Sequence, residues 1–282
     1  MHRVLQRLGH CRRIPFGIRD RIIRAIAPPN AAGRDFTVPF FGQLYAGNLS
    51  SFIDWSVYFY GAYEGALLGF LRDCASSGTV FADIGANTGH HTLFMAGRVK
   101  QVHAFEPWQP VRERLEARIA LNRLRNVTVH PLGLGRDDAA LPFAAPGGGK
   151  NAGQGTFRTD PGFGDGELLP VANGDRYFTQ HGIAPDLMKI DVEGLEPDVL
   201  AGLTETIARC RPVIVAEWSP WSRNAGDPAD ALPHGYRTFG LVNRGDRPYR
   251  LEPYDSARHY ELVLAPEEAR VPMTGPSAAE AD

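Results

Sequence analysis

The chain predicts an α/β fold, a doubly wound and mostly parallel sheet with helices on both faces. Three observations carry this. Short apolar runs at 79–84, 101–105, 127–130, 186–190 and 212–216 alternate with segments of helical periodicity, the pattern of a parallel sheet with crossover helices. The run Val80-Phe81-Ala82-Asp83-Ile84 feeds into Gly85-Ala86-Asn87-Thr88-Gly89 and then an apolar-periodic segment, which reads as strand, tight glycine turn and helix. Four acids, Asp83, Glu106, Asp191 and Glu217, stand at or beside the ends of predicted strands, the rim where open α/β sheets bind ligands.

In chain order, residues 1–75 read as an N-terminal extension and helical cap. Arginines are interleaved with aliphatics up to Pro29, and Ile22, Ile23 and Ile26 have helical spacing. A short helix packed on the domain or a partner is expected there, ahead of a membrane-surface helix or a transit peptide. Residues 36–48 suggest a hairpin. The second half of 52–71 suggests a helix, with Glu64 set among aromatics as an ion-pair member or a cofactor contact. The main domain, 76–266, holds the five parallel strands. Helices are expected over 88–97, 110–124 (apolar Val111, Leu115 and Ile119 on one face, arginines on the other), 175–181 and 195–209. Two further strands at 236–242 and 259–264 should form an antiparallel edge pair, since the link between them lacks a helix pattern. An insertion at about 131–170 breaks the alternation, with a hairpin-like piece over 141–157 lying across the strand ends. Residues 267–282 read as a disordered tail.

Composition excludes some classes. There are 282 residues at a formal charge of −2, which argues against a general nucleic-acid binder. Three scattered cysteines, Cys11, Cys74 and Cys210, lack metal-ligand spacing and suit a reducing, cytoplasmic setting. No apolar run reaches the ~18–20 residues of a membrane helix.

The turn itself narrows the ligand. Glu106 follows Gly85 by 21 residues, the position of an acid that binds a ribose diol; its alternative is to cap the helix after Pro110. A dinucleotide turn would read G-x-G-x-x-G to admit a diphosphate. Here Ala86 and Asn87 interrupt that spacing and Asp83 would repel phosphate. S-adenosylmethionine fits a ligand with a cationic end, a ribose and no phosphate, and ranks above NAD and a dehydrogenase. On Lys189-Ile190-Asp191-Val192-Glu193, strand alternation puts the three charged residues on one side. Asp191 could orient an amino group or act as base. Glu193 could act as base or cap the next helix. Lys189 could pair with either. His90 and His91 face solvent or, for one of them, substrate.

These stretches resemble FkbM-type S-adenosylmethionine-dependent methyltransferases. The matching pieces are Gly61-Ala62-Tyr63-Glu64, Phe81 to Gly89, Phe105-Glu106-Pro107, Asn151-Ala152-Gly153, Lys189 to Gly194, and Pro212 with Glu217. The resemblance implies a Rossmann-like class I methyltransferase sheet of seven strands, and transfer to oxygen on a small molecule, sugar or glycan. It implies that Asp83, Gly85, Ala86, Asn87 and Gly89 hold the methionine part, with Glu64 and Asp191 beside it. Glu106 and Pro107 then serve the ribose, and Leu134 lies near adenine. The candidate catalytic residues are Asp191, Glu193 and Lys189. A divalent metal on Asp191 and Glu217 is possible but not favoured. A non-catalytic cofactor-binding module of the same fold is the remaining alternative.

Overall fold

The computed structural model describes residues 2–29, 33–144, 157, 166–218, 234–242 and 247–278. Two helices, α1 (His2–Gly9) and α2 (Phe16–Ile26), precede a hairpin of β1 (Asp35–Phe40) and β2 (Gln43–Asn48). Next come α3 (Phe52–Tyr60) and α4 (Gly65–Cys74). Ser51 caps α3 by accepting from the Asp54 N–H, and Gly61 at φ +85° ends it, a left-handed conformation that favours glycine. The aromatic run therefore makes two helices where periodicity suggested one.

The central alternation runs β3 (Val80–Ile84), α5 (His90–Ala96), β4 (Gln101–Phe105), α6 (Gln109–Asn122) and β5 (Val127–His130). A small sheet follows, β6 (Gly133–Gly135), β7 (Ala139–Phe143) and β8 (Glu167–Asn173), in the order β6-β8-β7. After it come α7 (Gly174–His181), β9 (Leu187–Ile190), α8 (Glu196–Gly202), α9 (Thr204–Cys210) and β10 (Val213–Glu217). The chain closes with β11 (Tyr236–Val242), β12 (Tyr249–Pro253), β13 (Glu261–Pro266) and β14 (Thr274–Gly275).

The main sheet has the order β14-β12-β11-β13-β10-β9-β3-β4-β5. From β10 to β5 it is parallel, and β13, β11, β12 and β14 add antiparallel. The chain leaves β3 toward β5 and returns on the other side at β9. The order reverses between β3 and β9, and a crevice opens there beyond the strand ends. Alternate residues of β3 feed opposite cores. Phe81 packs with Leu68, Phe94 and Val263 on one face, while Ala82 and Ile84 pack with Met188, Leu200 and Ile207 on the other.

Four expectations change. The sheet has nine described strands where seven were expected. The 236–242 and 261–266 strands do pair antiparallel, yet they are interior, because β12 and β14 lie outside them. β12 is short, and its burial alternates over only five residues, with Tyr249 and Leu251 inward. The segment expected to be a disordered tail holds β14, and Ser277 and Ala278 are fully buried. Gly69 of α4 makes room for it, since a Cβ there would overlap the Pro276 carbonyl. The single helix expected over 195–209 is two, broken at Leu203, where Gly202 packs against the Gly135 carbonyl. Of the hairpin-like piece 141–157, residues 145–156 lie outside the described residues; what is described is the antiparallel pairing of β7 with β8.

Candidate active site

A cavity of about 320 Å³ opens at the β3/β9 switch point, within the usual size range of small-ligand sites. Its walls come from the β3–α5 turn, the ends of β4, β9 and β10, the small sheet, and the cap residues Ser51, Phe52, Ile53 and Tyr63.

At one end stands Glu106, 7% exposed. Its carboxylate accepts from Asn87 N and from Trp108 N, both at 2.8 Å. Burial pushes its pKa up to about 7, with those two N–H groups pulling the other way. The same carboxylate thus fixes the glycine turn and faces the cavity. Beside it, Pro107, Leu134, Phe143, Phe157 and Val171 form an apolar slot, and Trp108 packs against Phe143 at 5.3 Å between ring centroids.

At the other end lies a charged floor. Lys189 Nζ donates to Asp191 Oδ2 at 2.8 Å, and its side chain is 5% exposed. Burial pulls the Lys189 ammonium down, but the Asp191, Asp83 and Glu64 carboxylates outweigh it and hold it above the usual lysine value. Asp191 also accepts a hydrogen bond from Glu217. These two carboxylates share one proton. The Asp191 charge, and then burial, push Glu217 well above its ordinary value of 4.5, while Lys189 overcomes burial to hold Asp191 low. Glu193 completes the group at φ +54° in the turn after β9. Carboxylate oxygens of Asp191, Glu193 and Glu217 lie within 4.8 Å of one another, close enough for oxygen ligation of a divalent cation.

Glu64 closes this end at φ +49°, taking a hydrogen bond from the Tyr63 hydroxyl and standing 3.3 Å from His91 Nε2. Burial raises Glu64 to about 7. Burial and nearby Lys189 push His91 down to about 3, so the imidazole is neutral. His90 is likewise buried, and its Nε2 accepts from Tyr63 N at 3.3 Å. The solvent-facing reading of the two histidines is therefore overturned: both are buried and both line the cavity.

The structure thus gathers Glu64, Gly85, Ala86, Asn87, Glu106, Pro107, Leu134, Lys189, Asp191 and Glu193 around one cavity. Asp83 and Gly89 do not line it. Asp83 is fully buried behind the floor, where Oδ2 accepts from Thr92 Oγ1 at 2.6 Å and Oδ1 has no hydrogen-bond partner among the described residues. It acts on the floor as a charge beside Lys189. Gly89 gives way to Leu115, and Gly85 lets the turn pass against the Asp191 carbonyl, which a Cβ would overlap. Close packing, more than ligand approach, requires these two glycines. Capping after β9 falls to Glu196, which accepts from Val192 N and Gly194 N at 3.0 and 3.1 Å. Trp108, Phe143, Phe157 and Val171 also line the cavity; in the sequence they carry no signal beyond apolar character, Phe143 and Phe157 inside the glycine-rich insertion and Val171 just after it. Asn151 to Gly153 lie outside the described residues.

The shared proton has a thermodynamic signature. A carboxyl raised in the folded state binds more proton there than when unfolded, so stability falls as pH rises above its ordinary value of 4.5. Glu217→Gln keeps the donor to Asp191 and removes the titration. The variant should lose less stability than wild type in urea unfolding between about pH 5 and pH 9, by at most about 1.4 kcal/mol per pH unit. Parallel losses would show that no proton is shared.

An open α/β sheet whose order reverses at a cavity lined by a glycine turn and buried carboxylates has the Rossmann-like fold of methyltransferases. Residues 83–239, more than half of the chain, match the methyltransferase FkbM domain, and the chain belongs to that family. Among solved structures it is similar to a methyltransferase FkbM from Methylobacillus flagellatus KT, at 20% identity and TM-score 0.45, covering 67% of this chain and 44% of that one. The chain thus spans less than half the length of that protein. It is also similar to an rRNA methylase from Streptococcus thermophilus (14% identity, TM-score 0.39, 70% of this chain and 91% of that one). A third is the Pyrococcus abyssi tRNA (uracil-54, C5)-methyltransferase in complex with S-adenosyl-L-homocysteine (13%, 0.42, 82% and 43%). No functionally curated protein matches the chain.

Proposed function

We propose that the protein transfers the methyl group of S-adenosylmethionine to a hydroxyl oxygen of a small molecule, sugar or glycan. The observation that carries this is the two-ended cavity, with Glu106 and an apolar slot at one end and the Lys189–Asp191–Glu217–Glu193 floor at the other. The residues present fit the cofactor. Glu106 would take the ribose hydroxyls; Leu134, Phe143 and Val171 the adenine; and Glu64, Asp191 and the Gly85–Asn87 turn the methionine part. The cofactor supplies a methyl on a cationic sulfur, a leaving group that needs no acid.

The protein's tasks are alignment and removal of the acceptor proton. Asp191 is a poor base, since Lys189 and Glu217 hold its charge. Partial withdrawal from water, with Asp191 and Glu196 near, pushes Glu193 up to about 7, the range a base needs at neutral pH. Glu193 therefore takes the proton, and Asp191 fixes Lys189 and Glu217. The Lys189 ammonium, 2.8 Å from Asp191, already offsets that carboxylate, which supports the metal-free version. Residues 1–75 act as a cap whose Phe52 and Tyr63 face the acceptor.

The test is calorimetric titration with S-adenosylhomocysteine, followed by radiolabelled methyl transfer to hydroxylated acceptors with and without chelator. Glu106→Ala should weaken cofactor affinity by about 10- to 150-fold, the 1.5–3 kcal/mol of a charge-assisted hydrogen bond. Unchanged affinity removes Glu106 from the ribose site. Binding without turnover on any acceptor favours the non-catalytic module. Loss of turnover in chelator moves the three carboxylates to a metal role.

A further inference from the structure

We propose that the α1–α2 pair seats the protein on an anionic membrane surface. Charge along the chain is segregated. Residues 1–29 hold seven arginines and one aspartate, a formal +6, although the whole chain is −2. Arg3, Arg7, Arg12, Arg13, Arg21 and Arg24 are all exposed. Of these only Arg24 has a carboxylate partner among the described residues, Asp20 at 2.7 Å.

The same surface carries apolar side chains in water. Ile18, Ile22 and Ile26 recur every four residues along α2 and are 53%, 38% and 48% exposed, and Val4 on α1 is 68% exposed. Spacing of four places the isoleucines in one stripe, with Arg21 and Ala25 on its flank. The stripe does not face outward for want of docking. Ile23, about 100° round the helix from Ile22, is fully buried with Leu5, Trp55 and Phe59, and the buried Arg19 donates to the Gly9 and Ile14 carbonyls. α2 is fixed with that stripe outward.

Aliphatics flanked by arginines match a bilayer interface, where the first enter the acyl boundary and the second meet anionic headgroups. An RNA or an acidic protein would satisfy the arginines and leave the isoleucines in water. A second copy meeting this face would cover the isoleucines but bring like charges together. The seat adjoins the cavity: Arg24 Cζ lies 5.4 Å from the centroid of the Phe52 ring, and Phe52 lines the cavity wall.

The test is co-sedimentation of the full chain with phosphatidylcholine vesicles with and without phosphatidylglycerol. Wild type should sediment with the anionic vesicles only, and less as salt is raised. Arg12→Gln/Arg13→Gln/Arg21→Gln should weaken that binding on the order of 100-fold, about fivefold per arginine. Ile18→Ser/Ile22→Ser/Ile26→Ser should abolish it. Both variants should keep the wild-type melting temperature, and the arginine variant changes only exposed residues should the serine variant misfold. The proposal is overturned if wild type ignores anionic vesicles at low salt, or binds neutral ones equally. It is equally overturned if the serine variant binds like wild type, or if the chain shifts single-stranded RNA but sediments with no vesicle.

Discussion

Glu193→Gln is expected to slow methyl transfer by about 10²–10⁴-fold while leaving cofactor affinity nearly unchanged. That range is about 2.7–5.5 kcal/mol of barrier. The substitution keeps side-chain size and the hydrogen-bonding character of the turn, so the loss falls on the proton acceptor alone. The pH profile is the sharper readout. A base must be deprotonated to act, so wild-type kcat/KM should rise with pH through about 7 and then level off, as the raised Glu193 value requires. The variant's residual rate should lack that step. Asp191→Asn should behave differently. It strands the Lys189 ammonium, which sits 2.8 Å away and is almost fully enclosed, so cofactor affinity and turnover fall together. A Glu193→Gln enzyme with wild-type rate and profile would return the base role to another group.

Asp54→Ala is expected to destabilise the fold by about 3–5 kcal/mol, as when one member of a buried ion pair is removed. Asp54 is fully buried, and Arg118 is 2% exposed. The Asp54 carboxylate accepts from Arg118 at 2.8 Å, from Arg114, from the Tyr45 hydroxyl at 2.8 Å and from Asn48 N at 2.9 Å. Without it, the Arg118 guanidinium keeps its carbonyl partners, Ala46 O at 2.8 Å and Thr88 O at 2.5 Å, but no counter-charge. Against a total stability of typically 5–15 kcal/mol, this is a large fraction, visible as a lower urea midpoint at unchanged slope. Asp54→Ala/Arg118→Met should recover part of the loss, because the stranded charge has gone too. A single variant within about 1 kcal/mol of wild type would mean that water already screens this pair.

The contrast between these two sites shows what a sequence makes legible. The five parallel strands and the four rim acids could be read because each depends on a local pattern, a short apolar run that in four of the five cases leads into a carboxylate. Glu106, Lys189, Asp191 and Glu193 meet because the βαβ topology brings consecutive strand ends to one crevice. Asp54 and Arg118 are 64 positions apart, and no periodicity links them. The arginines of α6 read as a solvent face, yet Arg118 is buried because the β1–β2 hairpin and α3 cover it. The apolar slot beside Glu106 was hidden for a related reason. Phe143 and Phe157 belong to the insertion and Val171 follows it, and the pairing of β7 with β8 joins segments far apart in the chain. The two histidines after Gly89 sit at the start of a short helix, a position that suggests exposure, and the cap over them reverses it.

Arg118 joins three pieces that the chain order keeps apart: the hairpin through Ala46, α3 through Asp54 and the glycine turn through Thr88. A guanidinium with its donors committed in three directions makes those pieces open as one cooperative unit. Loss of the hairpin should then loosen the turn, and a ligand that steadies the turn should disfavour the open form of β2 by the same free energy.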